Sequence, residues 1–210
     1  MTTKDTILGI LLAGGQARRM GGGDKCLLPL AGKTLLQRTI DRAQPQVDQL
    51  LLSANGSSLR FARSRLTVLP DEKPDFPGPL AGIQTGLSWL HAHRPDCQWL
   101  ASFASDTPFF PSDLVDHLLR ATQESGANLA VASSEGRLHP TFALWHRSLL
   151  DPVSKALTGD VSPRLQEWVR QQECVEVDFP SVRYDAFFNI NHPQDLYQAE
   201  TLLPFLEESN

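Results

Sequence analysis

Ile7-Leu-Gly-Ile-Leu-Leu12, an apolar run, opens directly into Ala13-Gly-Gly-Gln-Ala-Arg-Arg-Met-Gly-Gly-Gly-Asp-Lys25. The first half suits a buried strand and the second a loop that holds an anion. Glycine has no side chain and tolerates left-handed backbone angles, so Gly14, Gly15 and Gly21 to Gly23 let successive amides point inward at one ligand. Arg18, Arg19 and Lys25 add cations opposed locally by Asp24 alone, in a chain of formal net charge −5. That reversal of sign points to a polyanion, with phosphate the usual occupant. A surface loop with solvated charges is the alternative, and the strand in front of the loop favours binding.

Two commoner phosphate loops do not fit. No register of Gly14, Gly15 and Gly21 supplies the dinucleotide fingerprint Gly-x-Gly-x-x-Gly. Gly32-Lys33-Thr34 has the tail of a P-loop, but Leu27 stands where that motif needs its first glycine, which leaves a turn. The residues from Leu12 to Lys25 do read Leu-x-Gly-Gly-x-x-x-Arg-Met-Gly followed closely by Asp-Lys. This resembles the signature loop of the nucleotidyltransferases that activate small phosphorylated molecules with a nucleoside triphosphate. Within that superfamily the loop is most similar to that of the molybdenum cofactor guanylyltransferases.

Composition sets the frame. The 210 residues, 41% hydrophobic and 20% charged, are enough for one core, so residues 1–210 are expected to form a single domain. No apolar run approaches the roughly 20 residues of a membrane helix, and Met1 to Thr6 lacks a signal peptide's apolar region, so a cytoplasmic protein without a membrane partner is expected. Cys26, Cys97 and Cys174 are scattered and unpaired in sequence, which indicates neither a disulfide framework nor zinc. An acidic chain without a basic stripe is not expected to bind nucleic acid.

Elements alternate along the chain. Helical spacing from about Lys33 to Ala43 precedes a second strand, Val47 to Ala54, and Leu66 to Leu69 is a further short apolar run. A strand, helix, strand unit favours parallel pairing. A helix from Leu80 to His91 leads to a strand at Gln98 to Ala104, and Ser112 is a candidate cap for a helix reaching about Glu124. Asn128 to Ser133 and Leu138 to Trp145 read as strands around a turn at Glu135-Gly136-Arg137. Helices around Leu149 to Leu157 and Pro163 to Gln172, a strand at Glu173 to Phe179 and a last helix from Pro193 complete the chain. The architecture expected is a three-layer α/β domain, and the resemblance implies a Rossmann-like nucleotidyltransferase fold with a mostly parallel central sheet.

Four clusters fall near the expected strand ends: Leu12 to Lys25, Asn55, Asp71 to Gly82, and Asp106. A carboxylate just beyond a buried strand lies where open α/β sheets bind ligands, and magnesium prefers such hard oxygens, so Asp106 is the metal candidate. A turn before Pro108 is the plainer reading of Asp106. Pro77-Gly78-Pro79-Leu80-Ala81-Gly82 suits a Pro-started helix and also resembles the family's Gly-Pro-Leu-Ala-Gly element, whose small residues approach the nucleotide.

By that resemblance Leu12, Ala13, Gly14 and Gly15 line the nucleotide pocket, Asn55 and Asp71 complete its recognition, and Gly78 and Gly82 adjoin it. The resemblance further implies that Arg19 holds the departing phosphates, Lys25 bridges towards the α-phosphate, and Asp106 holds Mg2+. Phe187-Phe188-Asn189-Ile190-Asn191-His192-Pro193-Gln194-Asp195 resembles a late Asn-x-Asn segment of the family, so Asn189 and Asn191 are expected beside the acceptor or metal, with Asp195 supporting the next helix. His139-Pro140-Thr141 resembles an element near the acceptor, although a strand following a turn explains it as well. The N-terminal part of the domain would bind the nucleotide and the C-terminal part would contribute to the acceptor site.

Leu-Ala-Gly-Gly, where related cytidylyltransferases and sugar-phosphate enzymes commonly carry Leu-Ala-Ala-Gly, suggests room for a purine beside Gly14. The resemblance thus implies transfer of GMP from GTP to the terminal phosphate of molybdopterin, with or without molybdenum. Molybdoenzymes or cofactor-insertion proteins are the implied protein partners. The alternatives are a nucleotidyltransferase using CTP or another phosphorylated acceptor, and a non-catalytic nucleotide- or cofactor-binding protein.

Overall fold

Near-continuous burial along Ile7–Leu12 (β1), with successive side chains entering opposite layers, sets the centre of the molecule. Ile7 and Leu11 join one apolar cluster, while Leu8 and Ile10 join a second. A strand buried on both faces belongs inside an α/β sheet covered on both sides. The computed structural model describes residues 6–14, 23–71, 78–159, 163–181 and 183–207.

A short hairpin, Pro29–Leu30 (β2) with Lys33–Thr34 (β3), turns at Ala31 and Gly32 and leads into Leu35–Ala43 (α1). Thr34 caps that helix by accepting from the Gln37 amide at 3.1 Å. Then follow Gln49–Ser53 (β4), a 3-10 segment at Ser58–Ser64, Thr67–Leu69 (β5), Pro79–His93 (α2) and Trp99–Ala104 (β6). Leu114–Ser125 (α3), Leu129–Ser134 (β7), Arg137–His146 (β8), Leu150–Ala156 (α4), Leu165–Val169 (α5), Val175–Asp178 (β9) and Pro193–Glu207 (α6) complete the order. Ser112 does not cap α3: the helix starts after Asp113, and the Leu114 amide donates to the Pro111 carbonyl, which places Ser112 inside the preceding turn.

Among the described residues, seven strands form one sheet in the order β5-β4-β1-β6-β8-β7-β9. The pairs β5-β4, β4-β1, β1-β6 and β7-β9 are parallel, and β8 is antiparallel to both its neighbours. The sheet is therefore mostly parallel, as expected. Helices α1 and α3 supply Leu36, Ile40, Leu114 and Leu118 to one layer, and α2, α4 and α5 supply Ile83, Leu87, Val153 and Trp168 to the other. A third cluster, Leu30, Leu35, Phe109, Ile190 and Ala199, seats α6 against α1 and the segment after β6.

This order brings the carboxyl ends of four parallel strands side by side, with Asp71 after β5, Asn55 after β4, Gly14 after β1 and Asp106 after β6. Ligands bind outside such strand ends.

Candidate active site

A cavity of about 610 Å³ lies at this edge. Leu12, Ala13, Gly14, Asn55, Asp71, Gly78, Gly82, Asp106 and Asn189 all line it, so it gathers residues from every expected cluster. Gly15 and Arg19 lie outside the described residues.

On one side, the Asn55 side chain donates to Asp71 Oδ2 at 2.7 Å and accepts from the Asp71 amide at 2.8 Å, while Ser53 Oγ donates to Asp71 Oδ1 at 2.9 Å. Two strand ends are thereby locked together, with neutral donors satisfying the carboxylate. Helix α2 starts beside them at Pro79, whose missing N–H costs nothing at the first helical position. Gly82 allows that helix to approach, since a Cβ there would stand 2.7 Å from Ser53 Oγ and 2.8 Å from Leu12 Cδ2.

On the other side, the ammonium of Lys25 is buried and fully engaged. It donates to Asp106 Oδ2 at 2.6 Å, Asn189 Oδ1 at 3.0 Å and Asn191 Oδ1 at 2.5 Å. An ammonium has three donors, and each meets an oxygen. The asparagine segment is pinned to the end of β6 by the Ile190 amide donating to the Asp106 carbonyl at 3.1 Å. Asp195 accepts from the amides of Asn191 and His192 at 2.7 and 2.8 Å, closing the start of α6. It supports that helix, as expected. Burial, reinforced by the charge of Asp24, pushes the thiol of Cys26, next to Lys25, up to about 12, which disfavours the thiolate form.

The donors at this rim are hard oxygens. Among the described residues no group of three His, Cys, Asp or Glu could hold a metal ion. A divalent cation would instead rest on Asp106 and take phosphate oxygens of a ligand, which is how magnesium commonly binds. The residues present fit such an ion.

His139 is turned inward. Its ring stacks on Phe187 with centroids 4.2 Å apart, and its Nε2 meets Ser134 Oγ at 2.7 Å. Thr141, two residues further on, lines the cavity beside Asp106 and Asn189. The reason is a bulge: Val131 pairs with Ala143 but Ala132 pairs with His139, so residues 140–142 stand outside the ladder. Bulges re-aim side chains, and Pro140, lacking an N–H, suits one. Thr141 belongs to the His139-Pro140-Thr141 element read from the sequence, but a bulge leaves no local signature that would select the threonine over the histidine. Arg60 also lines the cavity, pairing with Asp24 at 2.6 Å, and its 3-10 segment carries no periodic pattern that would mark it.

Known proteins resemble the chain in sequence and in fold. The family profile described as the MobA-like NTP transferase domain matches residues 9–176. A molybdenum cofactor guanylyltransferase of Mesorhizobium japonicum is 49% identical over 200 residues, covering 94% of this chain and 96% of its own. Another, of Rhodopseudomonas palustris, is 46% identical over 193 residues, covering 92% of each chain. The crystal structure of molybdopterin-guanine dinucleotide biosynthesis protein A from Archaeoglobus fulgidus matches with a TM-score of 0.74 and 22% identity, covering 94% of this chain and 99% of that one, a likeness of fold.

Proposed function

Since the chain belongs to the MobA-like NTP transferase family, we propose that it transfers GMP from GTP to the terminal phosphate of molybdopterin, releasing pyrophosphate. The observation that carries this reading is the meeting of Lys25, Asp106, Asn189 and Asn191 beside a cavity at parallel strand ends. The relatives named for guanylyl transfer support the choice of nucleotide and acceptor.

The acceptor phosphate attacks the α-phosphorus of GTP. A new phosphorus–oxygen bond forms there while the bond to the β-phosphate oxygen breaks, and the electron pair leaves with pyrophosphate. No side-chain base is required, because a phosphate monoester carries about −1.5 to −2 charges near neutral pH. Catalysis is then positioning and charge stabilisation. Lys25 fixes Asp106 and both asparagines in one geometry and places a cation where negative charge gathers. The Asn55 and Asp71 pair orients the nucleoside side, and Thr141 with Asn189 faces the acceptor. Magnesium held by Asp106 and the phosphate oxygens would neutralise the departing pyrophosphate when bound.

Purified Lys25→Ala and Asp106→Ala proteins, assayed for pyrophosphate release with GTP, molybdopterin and magnesium, should lose about a hundredfold or more of activity. Circular dichroism should show the wild-type secondary structure in both. Near wild-type turnover in either variant removes that residue from the catalytic assignment. Turnover with CTP in place of GTP, and none with GTP, overturns the choice of base.

A further inference from the structure

The cavity proposed for an anionic nucleotide is lined by three carboxylates, Asp24, Asp71 and Asp106. Asp106 is paired with Lys25, and Asp71 is held by Ser53 and Asn55. Asp24 is met by Arg60, whose Nε donates to Asp24 Oδ2 at 2.6 Å. Arg60 is the cation among the described residues that line the cavity, and the reaction assigned above makes no use of it.

Its setting is built. Nη2 donates to the carbonyl of Asn55, the residue that locks Asp71, and the guanidinium carbon stands 4.7 Å from the centroid of the Phe61 ring. Gly56 makes room: its φ is +81°, and a Cβ there would fall 2.8 Å from Arg60 Nη1. The backbone angle calls for glycine. The side chain is 31% exposed, so the group is anchored without being sealed off. A guanidinium carries five N–H donors in a planar fork matched to phosphate, and these contacts engage two of them.

We propose that Arg60 is a nucleotide-binding residue, held in place by Asp24 and the Asn55 carbonyl, that gives its remaining donors to the phosphates of the bound nucleoside triphosphate. The assignment rests on the nucleotide reading of the cavity. It gives Asp24 a positioning role, and it ties the residue preceding Lys25 to the Asn55 side of the same site.

GTP binding with magnesium, measured by calorimetry on wild-type protein, Arg60→Gln, Asp24→Asn and the double variant, tests the assignment. Glutamine keeps most of the stem and an amide with two N–H donors, which guards against misfolding, and thermal melting checks each protein. Arg60→Gln should weaken GTP binding about ten- to hundredfold, as loss of a charged hydrogen bond does. In turnover assays it should raise KM for GTP by a similar factor and change KM for the acceptor less than about twofold, since distant contacts act independently. The double variant should bind as weakly as Arg60→Gln alone.

Restoration of wild-type binding in the double variant would show that Arg60 merely masks Asp24, which overturns the proposal. So would unchanged binding by Arg60→Gln beside tight wild-type binding. A wild-type protein that binds no nucleoside triphosphate overturns the nucleotide reading together with this one.

Discussion

Gly14 and Gly82 face the same cavity yet are small for different reasons. A Cβ on Gly82 would press on Ser53 and Leu12, so the helix–sheet contact needs the glycine whether or not a ligand is present. Among the described residues, apart from its chain neighbours, a Cβ on Gly14 meets no atom within 4 Å. Its methyl would project into the cavity, where, on the proposed nucleotide reading, a bound base would be the neighbour that feels it. Gly14→Ala should therefore keep the fold, with stability unchanged or raised by about 0.4–1 kcal/mol through the stiffer unfolded chain. Its effect should fall on ligand choice, weakening GTP more than CTP. Titration of both nucleotides into the variant reads this directly, and an unaltered preference would mean that Gly14 is not what makes room for guanine. Substituting Gly82 should instead lower the melting temperature before any nucleotide is added.

At the scale of elements, the strand ends were legible because each is a local pattern: an apolar run, then a residue with special backbone or polar chemistry. Asp106, Asn55 and the turn before α2 are of this kind. The 3-10 segment carrying Arg60 has no such pattern, and the bulge in β8 is visible only once β7 is paired with it. That bulge decides the fate of His139, which packs under the asparagine segment through Phe187. Burial, the largest cause, holds its pKa down to about 4 against the opposing pull of Asp185, and Arg137 adds to the depression. The unfolded chain protonates this histidine near its ordinary 6.5, whereas the folded one does not until about 4. Its contribution to stability is thus complete above 6.5 and is lost as the pH falls through that window. His139→Gln, whose amide can still meet Ser134, should melt lower at neutral pH but show a flatter dependence of Tm on pH between those values. A curve as steep as the wild type's would place the titrating group elsewhere.

For the whole molecule, the telling contact joins residues far apart in sequence. Lys25 reaches Asn189 and Asn191 across separations of 164 and 166 residues. Local chemistry could not announce that pairing, which is why the asparagines entered the sequence reading through resemblance and not through spacing. Physically, one buried ammonium ties the first strand's loop, the end of β6 and the approach to α6 into a single unit. Two independent ties also hold that last segment, the Ile190 amide on the Asp106 carbonyl and the packing of Ile190 and Ala199 against Leu30, Leu35 and Phe109. Lys25→Met keeps the length of the side chain but leaves three oxygens without their donor, and losing hydrogen bonds to a charged group costs about 1.5–3 kcal/mol each. The sheet has its own core and should not notice. Local opening free energies differ along a chain in this way, and hydrogen exchange reads them segment by segment. In Lys25→Met, amides of α6 and of residues 188–192 should exchange at least about tenfold faster, the equivalent of 1.4 kcal/mol, while those of β1, β4 and β6 keep their protection. If α6 exchanges as slowly as in the wild type, apolar packing alone holds it, and Lys25 serves the ligand without holding the two ends of the chain together.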